Sequence, residues 1–437
     1  MVNRFGRAAI LALGLAVSVP AWAAESSDTT QKILDILRDK KEITEEQYQD
    51  LKKGSDSEFR VFWDKGPTFA TNDGNYVIKF GSRLQNDWAV LVPNSSLNRQ
   101  FTNIDGTETG TEFRRARIQL EGTFYKRLDF KMEYDFAGGD VAFKDVYLGA
   151  HDVPIVGRFR LGYFKEPFSL EQLTSDSHTT FMERALPSAP AFAPDRNTGL
   201  AFYHNFVDNR VLLASGVFRE AGDSANTFGG NDEYNLTTRI SGLPWYEDAG
   251  RKLVHLGFSH SHKFRHNYDF DFNQRPEAHL VPTLIDTNDF EVDGVDLIDP
   301  EFALVVGPFS LQSEYMAAFA STPGKNVSFT GYYVYVSYFL TGESRPYSMS
   351  SGAFDRPIPK ANAFDGHGGI GAWEVGARYS SLDLTDEAIK GGELHDVTLG
   401  ANWYLNPYFK VMLNYVYANR SAEGEANIVE ARFQLDF

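Results

Sequence analysis

From about residue 75 onward the chain alternates apolar and polar side chains with a period of two, the mark of strands that present one apolar face. Residues 127–136, RLDFKMEYDF, place Leu128, Phe130, Met132, Tyr134 and Phe136 on one face and Asp129, Lys131, Glu133 and Asp135 on the other. The same division runs through 76–90, where Tyr76, Ile78, Phe80, Leu84 and Trp88 oppose Lys79, Arg83, Gln85 and Asp87. It recurs at 115–124, with Ile118, Leu120 and Phe124 against Arg115, Arg117, Gln119 and Glu121, and again where Trp373, Val375, Ala377 and Tyr379 oppose Glu374 and Arg378. The pattern predicts about sixteen strands, most near the roughly ten residues that a tilted membrane strand needs. They fall at 75–92, 111–124, 127–137, 141–150, 157–164, 198–206, 210–220, 233–243, 252–263, 302–306, 309–320, 327–340, 371–384, 394–405, 408–420 and 427–437.

The connections alternate as well. Short turns at 125–126, 151–156, 207–209, 307–308 and 406–407 share one rim, and long segments at 93–110, 165–197, 221–232 and 264–301 share the other. Short periplasmic turns and long outer loops are the plan of an outer-membrane barrel, although 341–370 is long and falls on the periplasmic rim in this topology. The expected fold is therefore all-β, a transmembrane antiparallel barrel with apolar residues toward lipid and charged ones toward a water-filled lumen. Closure is required because an unpaired backbone group in hydrocarbon costs several kcal/mol. The terminal ARFQLDF fits this plan: Ala431, Phe433, Leu435 and Phe437 face lipid, while Arg432, Gln434 and Asp436 face inward. Phe433, Leu435 and Phe437 are read as the signal for the bacterial barrel-assembly machinery, with the last ring at the periplasmic interface.

Before residue 75 the pattern differs. Arg4 and Arg7, an apolar run from Ala8 to Val19 and small residues at Ala21 and Ala23 make 1–23 a secretory signal peptide, cut after Ala23 or Ala24. In 29–53, Ile33, Leu34 and Leu37 recur at helical spacing, and Thr44-Glu45-Glu46-Gln47 fits a capping box opening a second short helix with Tyr48 and Leu51. A periplasmic helical hairpin and a GSDSE linker thus occupy 24–58, an assembly or tethering element or a loosely attached tail, and the barrel 59–437. No later run of about eighteen apolar residues supplies a membrane helix.

Composition narrows the chemistry. The absence of cysteine from 437 residues excludes disulfide frameworks, thiol catalysis and Cys-ligated metals. Loss of Arg4 and Arg7 takes the formal charge from −17 to −19, which with no long basic block argues against nucleic-acid binding. The 21 tyrosines suit interfacial girdles. His260 and His262 continue an outward face toward His266 without a tightly spaced third ligand, and Ser259 and Ser261 lie on the opposite face, so neither a metal centre, a cofactor nor catalysis is expected.

Several stretches together resemble the phosphate-selective porins O and P of bacterial outer membranes: IKFGSRL at 78–84, FRRARIQLEG at 113–122, FKEPFSLEQLTSDSHTTFMER at 164–184, LVHLGFSHSHKF at 253–264, GYYVYVSYFLTGESRPY at 331–347, GAWEVGARYSSLDL at 371–384 and DVTLGANWYLNPYFKVMLNYV at 396–416. The resemblance implies a trimeric sixteen-stranded channel whose inward basic residues guide phosphate or related anions past a constriction built partly by the third outer loop. It also places Arg184 and His178 near that constriction, with a histidine where a Lys or Arg is expected. Independently, strand parity turns Lys79, Arg83, Arg115, Arg117, Lys131, Arg158, Arg160, Arg239 and Arg378 toward the lumen, where low-dielectric walls focus the field of cationic side chains on a passing anion. The same faces hold Asp87, Glu121, Asp129, Glu133, Asp135, Glu374 and Glu430, which fits a mixed lumen of paired acids and bases equally well. The expected function is diffusive passage of phosphate or other small anions through a homotrimer set in outer-membrane lipid and lipopolysaccharide. The alternatives are a general porin of weak selectivity and, further off, an adhesin or a lipid-side enzyme.

Overall fold

The computed structural model describes residues 26–100, 106–188, 190–227, 233–387 and 389–437; the signal segment 1–23 and its cleavage site lie outside them. These residues divide into two compact units, one ending at Val77 and the other running from Ile78 to Phe437. In the first, α1 (Ser26–Asp39) and α2 (Glu45–Ser57) form the helical hairpin. Leu34 and Tyr48 are buried, and Tyr48 Oη donates to Asp35 Oδ1 at 2.7 Å. Thr44 N donates to Gln47 Oε1 at 2.9 Å and Gln47 N to Thr44 Oγ1 at 3.2 Å, the reciprocal capping bonds that TEEQ predicts. A small β-hairpin, Phe59–Trp63 against Pro67–Thr71, completes the unit.

The second unit is a closed barrel of sixteen antiparallel strands: β1 (Tyr76–Pro93), β2 (Glu108–Phe124), β3 (Leu128–Asp135), β4 (Ala142–Val153), β5 (Gly157–Lys165), β6 (Arg196–Phe206), β7 (Val211–Arg219), β8 (Tyr234–Glu247), β9 (Lys252–Phe270), β10 (Phe290–Val306), β11 (Phe309–Ser321), β12 (Val327–Phe339), β13 (Ala372–Asp386), β14 (Ile389–Tyr404), β15 (Phe409–Arg420) and β16 (Gly424–Asp436). Each pairs with its neighbour in sequence, and β16 closes on β1 with Ala426 opposite Pro93 and Asp436 opposite Arg83. Phe437 adds the last rung, its N–H donating to Ser82 O at 3.1 Å and its carbonyl accepting from Ser82 N at 3.0 Å. Two consecutive positive φ values, 51° at Tyr125 and 61° at Lys126, give the tight turn whose twist suits adjoining antiparallel strands.

Parity holds on the outside: Trp88, Ile118, Leu148, Leu161, Leu256, Leu399, Leu413 and Phe433 are all exposed. Two expectations are corrected. The tenth strand runs over seventeen residues, Phe290–Val306, and not 302–306 alone, so the long loop before it shrinks to 271–289. Pro300 is accommodated because it points outward on β10, and only its rungs toward β11 are missing. The lumen is also not charged throughout. In the half farthest from the short turns, the inner wall carries Val292, Val295, Leu297, Met316, Ala318, Phe329, Leu382, Leu384, Leu394, Val416 and Ile428, all buried.

What covers this apolar wall is the loops. Segment 166–195, the third loop on the long-loop rim, brings Phe168, Leu186 and Phe192; segment 271–289 brings Phe272, Val281, Leu284 and Ile285. The Phe272 ring meets Phe192 at 5.3 Å, Phe329 at 5.5 Å and Phe270 at 4.9 Å. From the opposite rim, 340–371 also turns inward: Asn205 Nδ2 donates to Met349 O at 3.0 Å and Arg239 Nη2 to Gly352 O at 2.8 Å. Three segments therefore fold into the lumen: 166–195 and 271–289 cover the apolar wall, and 340–371 reaches β6 and β8 from the opposite rim.

This packing is testable. Phe272→Ala is expected to cost about 3–5 kcal/mol of local packing. Segment 271–289 should then become cleavable by added protease in a barrel that stays heat-modifiable on gels; unchanged protection would mean that other contacts hold the loop.

Candidate functional site

Loop 166–195 begins at Glu166, which is buried and accepts from Asn197 Nδ2 and Asn235 Nδ2 at 2.8 Å each, as well as from Thr237. Ser169 then adopts φ 65° and caps a single helical turn, Leu170–Leu173, accepting from Gln172 N at 3.1 Å. The carboxylate of Glu171 accepts from Ala185 N at 3.0 Å and Ser188 Oγ at 2.7 Å, stitching the loop to itself. Arg184 does likewise through the carbonyls of Glu171, Gln172 and Thr174 at 3.2, 3.4 and 3.0 Å. Arg378 clamps two loops to the wall: it bonds Glu277 at 2.6 Å, Glu171 at 3.3 Å and Glu183 O at 3.0 Å, with its guanidinium 4.5 Å from the Phe181 ring. It is fully buried, lines neither cavity described below, and anchors the two loops.

The two acids at the loop's tip sit in a nest of arginines. Asp176 pairs with Arg83, Arg115 and Arg117, the last at 3.4 Å. Glu183 takes Arg114 through a two-pronged contact at 3.0 and 3.1 Å and Arg432 at 2.7 Å. Burial alone would raise the Asp176 carboxyl, but Arg115, Arg83 and Arg117 outweigh it and hold the group well below the usual range. Glu183 behaves the same way under Arg114, Arg432 and Arg115. Arg114 reaches this nest because exposure changes phase along β2, from odd positions up to Phe113 to even ones at Ile118, which turns both Arg114 and Arg115 inward. Arg117 is further engaged by Glu133 at 2.9 Å and Asp135 at 2.7 Å.

Two cavities adjoin at this nest, sharing Asp176 and Arg196. The outer one, about 780 Å³, is bounded by loops 166–195 and 271–289 and is lined by eight basic side chains, Arg114, Arg115, Arg117, Lys144, Arg184, Arg196, Lys263 and Arg275, against seven acids, Asp176, Glu183, Asp195, Glu220, Glu233, Asp271 and Glu277. The inner one, about 190 Å³, lies toward the short-turn rim and is lined by seven basic side chains (Arg83, Lys131, Arg158, Arg160, Lys165, Arg196, Arg239) against three acids (Glu133, Asp145, Asp176). An acidic chain thus surrounds its narrow passage with excess positive charge, and apolar walls concentrate that field.

Of the residues nominated by parity and resemblance, Arg83, Arg115, Arg117, Lys131, Arg158, Arg160, Arg184 and Arg239 line these cavities. Lys79 does not; it is half-buried near the start of β1. Arg239 is 1% exposed and bound to Glu301 by two 2.7 Å contacts. His178 sits apart, in the junction where the loop meets segment 340–371, with Asp355 at 3.5 Å and Asp436 at 3.8 Å. Burial lowers its pKa, only partly countered by Asp436. Sequence reading missed Arg114, Lys165 and Arg196. The last two flank the loop at the ends of β5 and β6, where parity says little, and only the pairing of those strands, Lys165 opposite Arg196, brings them together. His260 and His262 share Asp296 Oδ1 at 2.9 Å on the outer face, with Ser259 and Ser261 buried behind them.

Residues 79–437 match the family described as phosphate-selective porin O and P. The chain is 27% identical over 392 residues to Porin O of Pseudomonas aeruginosa, covering 81% of this chain and 85% of that protein. Among solved structures, it resembles an anion-selective porin from Comamonas acidovorans (TM-score 0.51, 14% identity, 83% of this chain and 100% of the other). It also resembles the outer membrane channel DcaP of Acinetobacter baumannii (TM-score 0.50, 10% identity, 83% and 98%). At these identities the structural likeness establishes the barrel fold.

Two outcomes follow for the loop. Asp176→Asn leaves three arginines without their shared acid, so anion-to-cation permeability should rise while the loop loosens by about 3–5 kcal/mol, the usual effect of breaking a buried pair; reversal potentials and protease sensitivity check both. His178 is held neutral by burial, so its contribution to seating the loop is complete above its free value of about 6.5 and is lost as pH falls through the lower folded value. Conductance should therefore be constant above neutrality and change below about pH 6, a change absent in His178→Asn.

Proposed function

With the chain a member of the phosphate-selective porin O and P family, we propose that inorganic phosphate and similar small oxyanions diffuse through it along the basic side of the lumen. It is an outer-membrane anion porin, a channel rather than an enzyme. The observation that carries the residue-level reading is the inner cavity, where seven basic side chains meet three acids. Arg83, Arg115 and Arg117 give much of their charge to Asp176, Glu133 and Asp135, so their first role is to seat the loop that narrows the path. Lys131 and Arg196 share Asp145 at 3.4 and 2.8 Å and line the passage below them. Arginine suits this task because its planar fork matches the oxygens of phosphate.

The near balance of charge in the outer cavity favours a second reading, a general anion preference set only by the inner cavity. Trimeric assembly in lipid and lipopolysaccharide, a periplasmic hairpin at 24–58, and recognition of Phe433, Leu435 and Phe437 by the assembly machinery belong to the same proposal. Of these three side chains, Phe433 is exposed on the outer face and Leu435 and Phe437 are half-buried.

Reversal potentials across a planar bilayer under a potassium chloride gradient test the reading. The wild-type channel should favour anions, and Arg115→Glu with Arg117→Glu should reduce anion conductance several-fold. Equal permeability to cations in the wild type would sink the phosphate reading.

A further inference from the structure

Of the seven cations that line the inner cavity, Arg83, Lys131, Arg196 and Arg239 are committed to carboxylates, whereas Arg158, Arg160 and Lys165 have none within ion-pair distance among the described residues. Arg158 and Arg160 lie near the start of β5, close to the short-turn rim, and both line the inner cavity. Their faces are covered by aromatic rings instead: Arg158 stands 4.7 Å from the centre of Tyr203, and Arg160 stands 4.6 Å from Tyr147 and 5.3 Å from Tyr203. The nearby acids are engaged elsewhere. Asp129 accepts from Thr123 at 2.9 Å and bonds His151 at 2.8 Å, and Asp145 serves Arg196 and Lys131.

A ring takes only the face of a guanidinium; its N–H donors point outward in the plane. Arg158 spends one of them on Ser350 O at 3.0 Å, from the inward segment 340–371, and its Nε is buried without a partner. Arg239, on the wall of the same cavity, likewise has a buried Nη1 without a partner. Lys165 closes the group, its ammonium bound only to Gln172 O at 2.6 Å. Like charges held this close in a confined space repel, and a doubly charged ion relieves that repulsion more than a singly charged one. The cavity's 190 Å³ far exceeds the roughly 10–15 Å³ that one water requires, so a small polyatomic ion fits with some of its hydration.

We propose that Arg158 and Arg160, stacked on Tyr203 and Tyr147, form a binding station for a dianionic oxyanion on the short-turn side of loop 166–195, separate from the Asp176 nest. The inference rests on the anion-channel reading above and adds a place where the permeating ion pauses. Chloride offers one charge and no array of oxygens, so it passes with less delay. The planar forks select phosphate through paired N–H donors, which lysine ammonium groups supply only as point charges.

The test uses the full-length protein in planar bilayers, in potassium chloride with increasing inorganic phosphate on both sides. Phosphate should reduce wild-type chloride current at millimolar concentration. In the R158Q/R160Q double variant the half-blocking concentration should rise at least tenfold. R158K/R160K retains both positive charges but not the planar forks and should lose most of the block, and R160K alone provides a milder change should the double variants fail to give heat-modifiable barrels. Block unchanged in any folded variant lacking Arg160, or no block in the wild type, overturns the station. The reversal potential is read in the same recordings. A wild-type channel that prefers potassium overturns the anion reading and the station with it, whereas an anion-preferring channel whose block ignores Arg158 and Arg160 overturns the station alone.

Discussion

A sheet in hydrocarbon cannot leave an edge unpaired, and the closure of β16 on β1 is the constraint on which the rest of this molecule depends. That seam joins residues nearly the whole barrel apart in sequence. It also does more than satisfy backbone groups. Its register sets Arg432 opposite Asp87, Gln434 opposite Gln85 and Asp436 opposite Arg83, all on the inner face. Each pair then grips loop 166–195: Arg432 through Glu183, Gln434 through Ser177 O at 3.0 Å, and Arg83 through Asp176. The joint that closes the wall is therefore also the surface on which the constricting loop rests.

The filling of the lumen is as lopsided as the seam is specific. Along β10–β16 the outer half of the inner wall is apolar and carries two loops much as a soluble protein carries its core. Along β1–β8 the wall carries more charged side chains and borders the two cavities beside loop 166–195. These cavities lie against the basic residues of β2, β3, β5 and β6, so a chain of strongly negative net charge has a positive passage. The arginines divide into two kinds there. Those paired with Asp176 and Glu183 hold structure, because a buried charge deprived of its partner is costly; those facing tyrosine rings keep donors free for a passing ion.

The outline of the barrel was legible because lipid outside and water inside impose a two-residue period on every strand. The sixteen strands stand where alternation put them, to within a few residues at most ends; β9 runs on to Phe270, β14 starts already at Ile389, and β10 starts at Phe290, where apolar side chains turn inward and acids outward, the reverse of the pattern that marked the other strands. The site was legible only in part. Parity identified Arg83, Arg115, Arg117, Lys131, Arg158, Arg160 and Arg239 as inward, which holds because each lies within a regular strand. It failed for Arg114, where β2 shifts phase, and had nothing to say about Lys165 and Arg196, whose meeting is a long-range pairing across a thirty-residue loop.

Local periodicity by itself therefore determined the class of fold, the topology of its rims and the inward face of most cations, since those follow from the solvent on each side of a strand. The partners of those cations were beyond it. Whether an arginine is spent on Asp176, buried with Glu301 or left against Tyr203 depends on where three long segments fold once the wall has closed. Charge neutralisation acts through distances of a few ångströms between residues far apart in sequence, and only the tertiary structure brings those distances into being.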